Sequence, residues 1–248
     1  MHTVFRFLRQ LLLTVLLLAL LTLVAAGGYF AVTGHKLYES AIQVTPIDTL
    51  YSSISSREGF VPYAQLPQTY INAVISAEDS RFTHHKGVDP VSIARALVTD
   101  LRTGSFAEGG STITQQLAKN TLFTQEKHLA RKAAEMFAAL AIEKQYNKEQ
   151  IFEMYVNTIY FGSGHYGIGE AAQGYFGKTP LQLTDAEAVM LAGLPNAPSA
   201  YSPNSNPDLA VKRMQVVLNR MVGCKKLTRE QADALAAEAV TLQFLPAS

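Results

Sequence analysis

The chain has no tryptophan and one cysteine, Cys224, among its 248 residues. A single cysteine cannot form an internal disulfide, so a disulfide scaffold and a cysteine metal cluster are both excluded. An excess of one charge is also lacking, because the formal net charge is +1. Such a chain lacks the basic surface that nucleic-acid binding requires, and we expect no nucleic-acid partner.

Charged residues are missing from residues 11–34, a run of 24 residues. As a helix this run would span about 36 Å, enough to cross the hydrocarbon core of a membrane. Arg6 and Arg9 precede the run and Lys36 follows it, which favours a cytoplasmic N-terminus and a body on the outer face. A signal peptide cleaved near Ala26 is the alternative, although the run exceeds the roughly 7 to 15 apolar residues usual for such signals.

Strand-like alternation is also scarce, and no internal repeat or low-complexity tract is visible. Beyond Pro67, apolar residues recur at helical spacing, beginning with Tyr70, Val74 and Ala77. Further helical patterns cover residues 91–101, 129–142, 151–159, 187–194 and 210–221. The sequence therefore predicts a mainly α protein.

Three parts are predicted along the chain. Residues 1–34 form a cytoplasmic tip and a membrane anchor. Residues 35–66 are mixed in composition and interrupted by prolines, which is typical of a tether. Residues 67–245 form one helical domain.

The run EDSRFTHHKG brings acids, a base, an aromatic residue and a glycine together at the end of a predicted helix. Glu78 and Asp79 in isolation would be interpreted as a solvated helix end, because such residues are mostly exposed. Phe82 lies four residues after Glu78, a spacing that packs beneath the same helical face, and Gly87 permits a turn. Adjacent histidines would diverge by about 100° on a helix, so His85 is interpreted as a structural hydrogen-bonding residue rather than a metal ligand.

The run GGSTITQQLAKN is rich in glycine but lacks the Gly-Lys-Ser/Thr ending of a phosphate-binding P-loop. Thr112 followed by Gln115 matches the capping box of a helix start. Gln116, Lys119 and Asn120 then share one polar face of that helix. A helix start that also presents a lysine suits an anionic ligand.

In the run KHLARKAAE, Lys127, Arg131 and Glu135 are spaced by four residues and share a helical face, with Lys132 beside them. An exposed ladder of ion pairs is one interpretation. The following run AAEMFAALAIEKQY is apolar enough for a core helix, so a partly enclosed Glu135 is the other interpretation.

The run GSGHYG, residues 162–167, matches the dinucleotide fingerprint G-x-G-x-x-G, and Asp185 follows at about the expected distance. That fingerprint requires a strand before it and a parallel sheet around it, which this chain does not predict. We interpret the glycines as a tight loop before a helix over residues 168–175.

In order and spacing, EDSRFTHHKG, GGSTITQQLAKN, RKAAE, KEQIFEMYVN and GHYGIGEAAQGYFGK resemble the five motifs of the family 51 glycosyltransferases, the peptidoglycan transglycosylases. The resemblance covers residues 67–241 and includes LTDAEAVMLAGLPNAPSAYSP. It implies a lysozyme-like helical domain on a single transmembrane helix in the cell membrane. Many relatives continue into a transpeptidase, whereas this chain stops at Ser248, so a monofunctional biosynthetic transglycosylase is expected.

The implied reaction polymerises lipid II into β-1,4-linked glycan and releases undecaprenyl pyrophosphate by an inverting single displacement. In this resemblance Glu78 is the general base that takes the proton of the acceptor hydroxyl. Glu135 is the second carboxylate, on the donor side, where it orients cations or holds a divalent metal, Mg²⁺ or Mn²⁺, bound with the pyrophosphate. No organic cofactor is implied.

Other motif positions resemble residues that bind substrate or shape the cleft. These are Asp79, Phe82, His85, Arg95, Ser111, Thr112, Gln116, Lys119, Asn120, Lys127, Arg131 and Lys132. Lys127 departs from the family pattern, which commonly has arginine there, and lysine loses the bidentate fork. Glu153 and Asn157 resemble structural residues behind the cleft, and residues 98–108 correspond to a membrane-facing jaw.

The implied partners are lipid II, the growing lipid-linked glycan and the bilayer, together with penicillin-binding, elongation or division proteins. Two other functions remain open from the sequence. A glycan-cleaving enzyme of lysozyme-like shape would also use a catalytic glutamate, but cleavage of a neutral glycan has no use for the cations Lys119, Arg131 and Lys132. A catalytically silent scaffold is disfavoured by the intact Glu78 and Glu135.

Overall fold

The structure is a computed structural model that describes residues 2–104, 109–124 and 129–245. Within these residues the chain folds into helices and contains no β-sheet, and one isolated antiparallel bridge joins Tyr160 to Tyr166. The prediction of a mainly α protein is confirmed. The α-helices are α1 (His2–Val44), α2 (Leu50–Ser55), α3 (Gln68–Glu78), α4 (Pro90–Thr103), α5 (Ile113–Leu122), α6 (Leu129–Gln145), α7 (Lys148–Val156), α8 (Gly167–Phe176), α9 (Asp185–Gly193), α10 (Pro198–Tyr201), α11 (Pro207–Gly223) and α12 (Arg229–Ala239).

Short 3₁₀ turns join several of these helices. They cover Ile47–Thr49, Tyr63–Gln65, Phe82–His84, Pro180–Gln182 and Leu194–Asn196. Capping boxes begin four α-helices, in which a side chain three residues on bonds back to the capping residue. The pairs are Thr112 with Gln115, Asn147 with Gln150, Thr184 with Glu187, and Thr228 with Gln231. These local bonds fix where the helices start.

The core forms around α9, whose residues from Ala186 to Gly193 are all buried. Helices α3 and α11 pack against α9 and against each other. Helix α5 packs against α6 and α7 in a second group. Glu78 is the last residue of α3. Its position is therefore set by the packing of α3 against both α9 and α11.

The segment 35–66 differs from the predicted tether. No helix-breaking residue follows Gly34 until Pro46, and α1 accordingly continues to Val44. Leu50 and Ile54 of α2 are then buried in the core. These residues therefore belong to the packed body of the protein.

Side chains of α7 hold this segment in place. The Tyr51 hydroxyl donates to Glu153 Oε2 at 2.6 Å, and the Tyr63 N–H donates to Glu153 Oε1 at 2.6 Å. Asn157 bonds the N–H and the C=O of Val61. The buttressing role expected of Glu153 and Asn157 thus consists of bonds to the chain that enters the domain.

The first helix is long and apolar enough over Phe5–Val44 to cross a membrane, and its apolar side chains are exposed. Its C-terminal part packs along α6. A Cβ at Gly34 would lie 2.5 Å from Ala133 Cβ and 2.8 Å from Ala130 O. The ring of His35 meets Phe137 edge to face at 5.0 Å between centroids. The two helices approach so closely because position 34 has no side chain.

We predict that Gly34→Leu destabilises the packing of α1 on α6, because the new side chain would meet backbone atoms that cannot move aside. Overpacking of this kind costs about 1–3 kcal/mol, so thermal unfolding in detergent should begin at a lower temperature. Gly28→Leu is the matched control, since a Cβ at Gly28 meets nothing within 4 Å. Equal unfolding temperatures for the two variants would contradict the prediction.

Candidate active site

A cleft of about 530 Å³ opens between α3, α4, α5 and α6 and the turn after α9. It is lined by Glu78, Ile93, Ala96, Leu97, Asp100, Gly110, Ser111, Gln115, Gln116, Lys119, Arg131, Lys132, Glu135, Met136, Pro195 and Asn196. The two predicted carboxylates, Glu78 and Glu135, and three of the predicted cations are thus brought together from three separate motifs, and Asp100 of α4 is a third carboxylate in the lining. One wall, formed by α4 and Met136, is mostly apolar.

Glu78 lies at the end of α3 with its side chain 11% exposed. Its Oε2 accepts a hydrogen bond of 2.9 Å from Gln116 Nε2. Its Oε1 is buried without a hydrogen bond and lies 3.6 Å from Arg213 Nη2. The carboxylate therefore has one oxygen fixed by an amide and one that no hydrogen-bond donor occupies.

Glu135 is enclosed by cations, with its side chain 3% exposed. Arg131 Nε lies 3.1 Å from one carboxylate oxygen, and Lys132 Nζ donates to the other at 3.1 Å. Lys132 also donates to Ser111 Oγ at 2.6 Å. The exposed ladder of ion pairs is excluded as an interpretation of this helix, because the shared carboxylate is buried.

Lys119 projects from α5 into the same cleft. Within the described ranges no carboxylate lies within ion-pair distance of it. A lysine that lines a cleft without an acidic partner is available to an anionic group of a ligand. Lys119 stands in the last turn of α5 and not at the helix start. An anion site formed by the helix start and this lysine together stays a prediction.

Asp79 and His85 lie behind the cleft rather than in it. Asp79 is buried, its carboxylate is bonded by His85 Nε2 at 2.9 Å, and it accepts from the Ile113 N–H at 3.0 Å. The Thr112 hydroxyl donates to the Gly87 carbonyl at 2.6 Å. These bonds join the turn after α3 to the first turn of α5.

The turn between α3 and α4 ends at Asp89, whose carboxylate caps the start of α4. Burial alone would raise the pKa of Asp89. Hydrogen bonds from Ser92 and from the Val91 N–H, together with the charge of Arg81, lower it by more, so the pKa of Asp89 lies below its ordinary value. Asp89 consequently remains an anion that binds Arg81 Nε at 3.0 Å.

A smaller cavity of about 30 Å³ adjoins Glu78 on another side. Arg95, Thr112 and Asp79 line it together with Arg220. Arg95, one of the predicted substrate residues, therefore faces this cavity and is not part of the main cleft.

Three predicted substrate residues line neither cavity. Helix α3 ends at Glu78, so Phe82 is not on the same helical face and is instead buried against Phe152, beneath Lys148. His85 is occupied by Asp79, and Asn120 points to solvent. Lys127 lies outside the described residues.

The sequence analysis did not identify Arg213, Asn196 or Gln115 as site residues. Arg213 stands in α11 at helical spacing from the buried Ala210 and Val217. An arginine on a core-facing stripe requires a buried partner, and that signal was available in the sequence. Its partner Glu78 could not be read from spacing, because the two residues belong to distant helices.

The glycines of GSGHYG form a loop before α8, as expected. Gly162, Gly164 and Gly167 have φ of 90°, 88° and 83°, values that favour glycine. Since the described residues contain no sheet, the dinucleotide fingerprint lacks its structural setting.

In this cleft Glu78 and Glu135 lie on separate helices, and cations surround Glu135. Buried carboxylates and cations gathered in one cleft are typical of an enzyme active site. The family described as Transglycosylase matches residues 45–222. The chain belongs to this family of glycosyltransferases, and its helical body is a peptidoglycan transglycosylase domain.

Several relatives are penicillin-binding proteins. Penicillin-binding protein 1A of Aquifex aeolicus (strain VF5) is 44% identical over 195 residues, which cover 78% of this chain and 27% of that protein. Penicillin-binding protein 1A of Escherichia coli (strain K12) is 47% identical over 180 residues, covering 73% of this chain and 21% of that protein. The chain thus spans about a quarter of the length of these relatives.

A solved structure also resembles the chain. The crystal structure of penicillin-binding protein 1A from Haemophilus influenzae aligns with a TM-score of 0.46 and 25% identity over 76% of this chain and 18% of that chain.

We predict that Asp79→Ala lowers the free energy of unfolding by about 3 kcal/mol or more, because it leaves His85 and the Ile113 N–H buried without their acceptor. Denaturant unfolding measures this loss. Asp48→Ala is the control, since Asp48 is exposed and none of the described side chains bonds to it. A loss no larger than that of the control would show that Asp79 does not hold α5 in place.

Proposed function

We propose that this protein polymerises lipid II into β-1,4-linked glycan and releases undecaprenyl pyrophosphate. The observation that carries the proposal is the cleft itself, in which Glu78 stands together with a cluster of cations around Glu135 in a transglycosylase domain. A base and an anion site in one cleft match a reaction that removes a proton from one substrate and a pyrophosphate from the other.

On the acceptor side, Glu78 takes the proton of the sugar 4-hydroxyl as that oxygen attacks the anomeric carbon of the donor. Gln116 holds one oxygen of this carboxylate, Oε2, in place for that step. The bond from the anomeric carbon to the pyrophosphate oxygen breaks in the same step, and its electron pair leaves with the pyrophosphate. Attack from the opposite face inverts the anomeric centre, so that no covalent sugar intermediate forms.

On the donor side, negative charge grows on the departing pyrophosphate. Lys119, Arg131 and Lys132 supply fixed positive charge in the cleft, which stabilises such a transition state. Glu135 holds the latter two at 3.1 Å each. Its role is therefore to orient these cations before the substrate arrives, which avoids reorganisation during the reaction.

A divalent cation, Mg²⁺ or Mn²⁺, fits this site only together with the substrate. The described residues contain no cluster of three or more metal-ligating side chains. Glu135 Oε1 makes no hydrogen bond, but it is buried and lies 3.1 Å from Arg131 Nε. It would therefore hold the cation only after Arg131 moved aside, together with phosphate oxygens of the substrate. When bound, the cation would neutralise part of the charge of the pyrophosphate.

The proposed location is the cell membrane, with α1 crossing once, the N-terminus cytoplasmic and the domain on the outer face. Helix α4, which forms the apolar wall of the cleft, also exposes Leu97, Val98 and Leu101, the last with 86% of its surface accessible. An exposed apolar helix beside the cleft suits entry of a lipid-linked substrate from the bilayer. Growing glycan and penicillin-binding, elongation or division proteins are the further partners we propose.

We expect Glu78→Gln to abolish polymerisation while the fold is retained, because glutamine preserves the shape of the side chain but cannot accept the proton. Loss of a general base lowers the rate by about 10²- to 10⁴-fold. The measurement is the glycan ladder formed from labelled lipid II by detergent-solubilised protein, with and without Mg²⁺. Glu149→Gln, an exposed glutamate of α7, is the control that should leave the ladder unchanged.

Undiminished polymer from Glu78→Gln would refute the role of the base. No polymer from the unaltered protein with accessible lipid II would refute the function. Shortening of preformed glycan by the same preparation would instead support the glycan-cleaving alternative.

Lys119→Gln should lower kcat/KM for lipid II by about 10²-fold, because it removes a cation of the cleft that has no acidic partner among the described residues. Initial rates over a range of lipid II concentrations measure this change. Lys144→Gln, an exposed lysine near the end of α6, is the charge-matched control. Equal kinetics for the two variants would place the anion site elsewhere.

A further inference from the structure

Glu78 is held by two helices other than its own. Gln116 of α5 donates from Nε2 to Oε2 at 2.9 Å. Gln116 Oε1 in turn accepts from the Tyr155 hydroxyl at 3.3 Å. Burial, and next the charge of Glu78, raise the pKa of Tyr155 well above its ordinary range, so its hydroxyl keeps its proton and can donate. The glutamine amide is thereby oriented with its N–H toward Glu78.

Arg213 of α11 approaches the other oxygen. Its Nη2 lies 3.6 Å from Glu78 Oε1, and both side chains are nearly enclosed, at 12% and 11% exposure. The separation is that of an ion pair without a hydrogen bond, and Oε1 accepts none from the described residues. Arg213 therefore supplies charge to the carboxylate without occupying the oxygen.

The backbone of α9 fixes Arg213 in this position. Arg213 Nε donates to the Gly193 carbonyl at 3.1 Å, and its guanidinium lies 5.8 Å from the centre of the Tyr201 ring. A Cβ at Gly193 would come within 3.1 Å of Arg213 Cγ and 3.4 Å of Val217 Cγ2. Because Gly193 has no side chain, the aliphatic part of Arg213 can pass close to the end of α9.

The other charged and titratable groups near Glu78 are neutral, are paired with other residues, or line the cavities. Tyr70 on α3 and Tyr155 on α7 are neutral, and Asp79 is bonded by His85. Arg95 and Arg220 line the small cavity. Lys119 lines the main cleft, while Arg131 and Lys132 are paired with Glu135. In the described chain, Arg213 is the cation within ion-pair distance of Glu78.

We infer that Arg213 is a positioning residue for the general base: from the Oε1 side it holds the Glu78 carboxylate in place, while Gln116 holds Oε2. The inference rests on the proposed function, in which Glu78 is that base. Opposite charges at this distance attract each other, and the low exposure of both groups limits screening by solvent. Arginine suits this role because it stays protonated and its planar group can bond Gly193 and face Glu78 at once.

The test compares Arg213→Gln, Arg213→Lys and the unaltered protein in the lipid II assay. Without the cation, the Glu78 carboxylate loses its partner on the Oε1 side, so kcat of Arg213→Gln should fall by about tenfold to a hundredfold, less than for loss of the base itself, while KM changes little. Arg213→Lys should restore most of kcat. Lys212→Gln, its exposed neighbour, should match the unaltered protein.

A second readout does not require activity. In protein labelled with ¹³C at glutamate carboxyl carbons, the Glu78 signal is assigned by its loss in Glu78→Gln. Its chemical shift should move in Arg213→Gln and return in Arg213→Lys. An unmoved signal in Arg213→Gln would overturn the inference, even if activity fell, because the Glu78 carboxylate would then be held without Arg213. Failure of the unaltered protein to polymerise lipid II would refute the proposed function and leave the carboxyl signal to decide whether Arg213 positions Glu78.

Discussion

The buried carboxylate of Asp79 is the constraint on which the site depends. It accepts from His85 on its own turn and from the Ile113 N–H at the start of α5. The residue before it, Glu78, ends α3, and α5 carries Gln116 and Lys119 into the cleft. One carboxylate therefore fixes Glu78 and one wall of the cleft relative to each other. Because an unpaired buried charge is costly, this arrangement tolerates little change.

The two carboxylates proposed for catalysis have different neighbours. Glu78 has one oxygen bonded by Gln116 and one that makes no hydrogen bond and lies 3.6 Å from Arg213. Glu135 is instead surrounded at close range by Arg131 and Lys132, so that its own charge is compensated before any ligand binds. In the proposed reaction the same residue type thus serves as a base in one place and orients cations in the other, and the different partners of the two carboxylates account for the difference.

Local patterns predicted much of this site. The capping box of Thr112 and the spacing of Arg131 and Glu135 are set by helix geometry, and both are present in the structure. The pairing of Glu78 with Arg213 depends on how α3 and α11 pack, which spacing along the chain does not encode. Phe82 was misplaced because α3 ends earlier than its pattern suggested.

The predicted tether was misjudged for a related reason. Prolines indicate where a helix stops, but the stretch from Gly34 to Val44 contains none. This stretch is rich in polar residues and was therefore interpreted as a tether, whereas it is the end of a helix that packs on α6. Helix α6 carries the cations of the donor side. The apolar N-terminal helix therefore packs directly on the helix that carries Arg131 and Lys132, and the two helices come close where Gly34 meets the backbone of Ala130. If α1 crosses the membrane as proposed, its packing on α6 also sets the distance between the cationic cluster and the bilayer. The pyrophosphate of a lipid-linked donor would lie at that distance from the membrane.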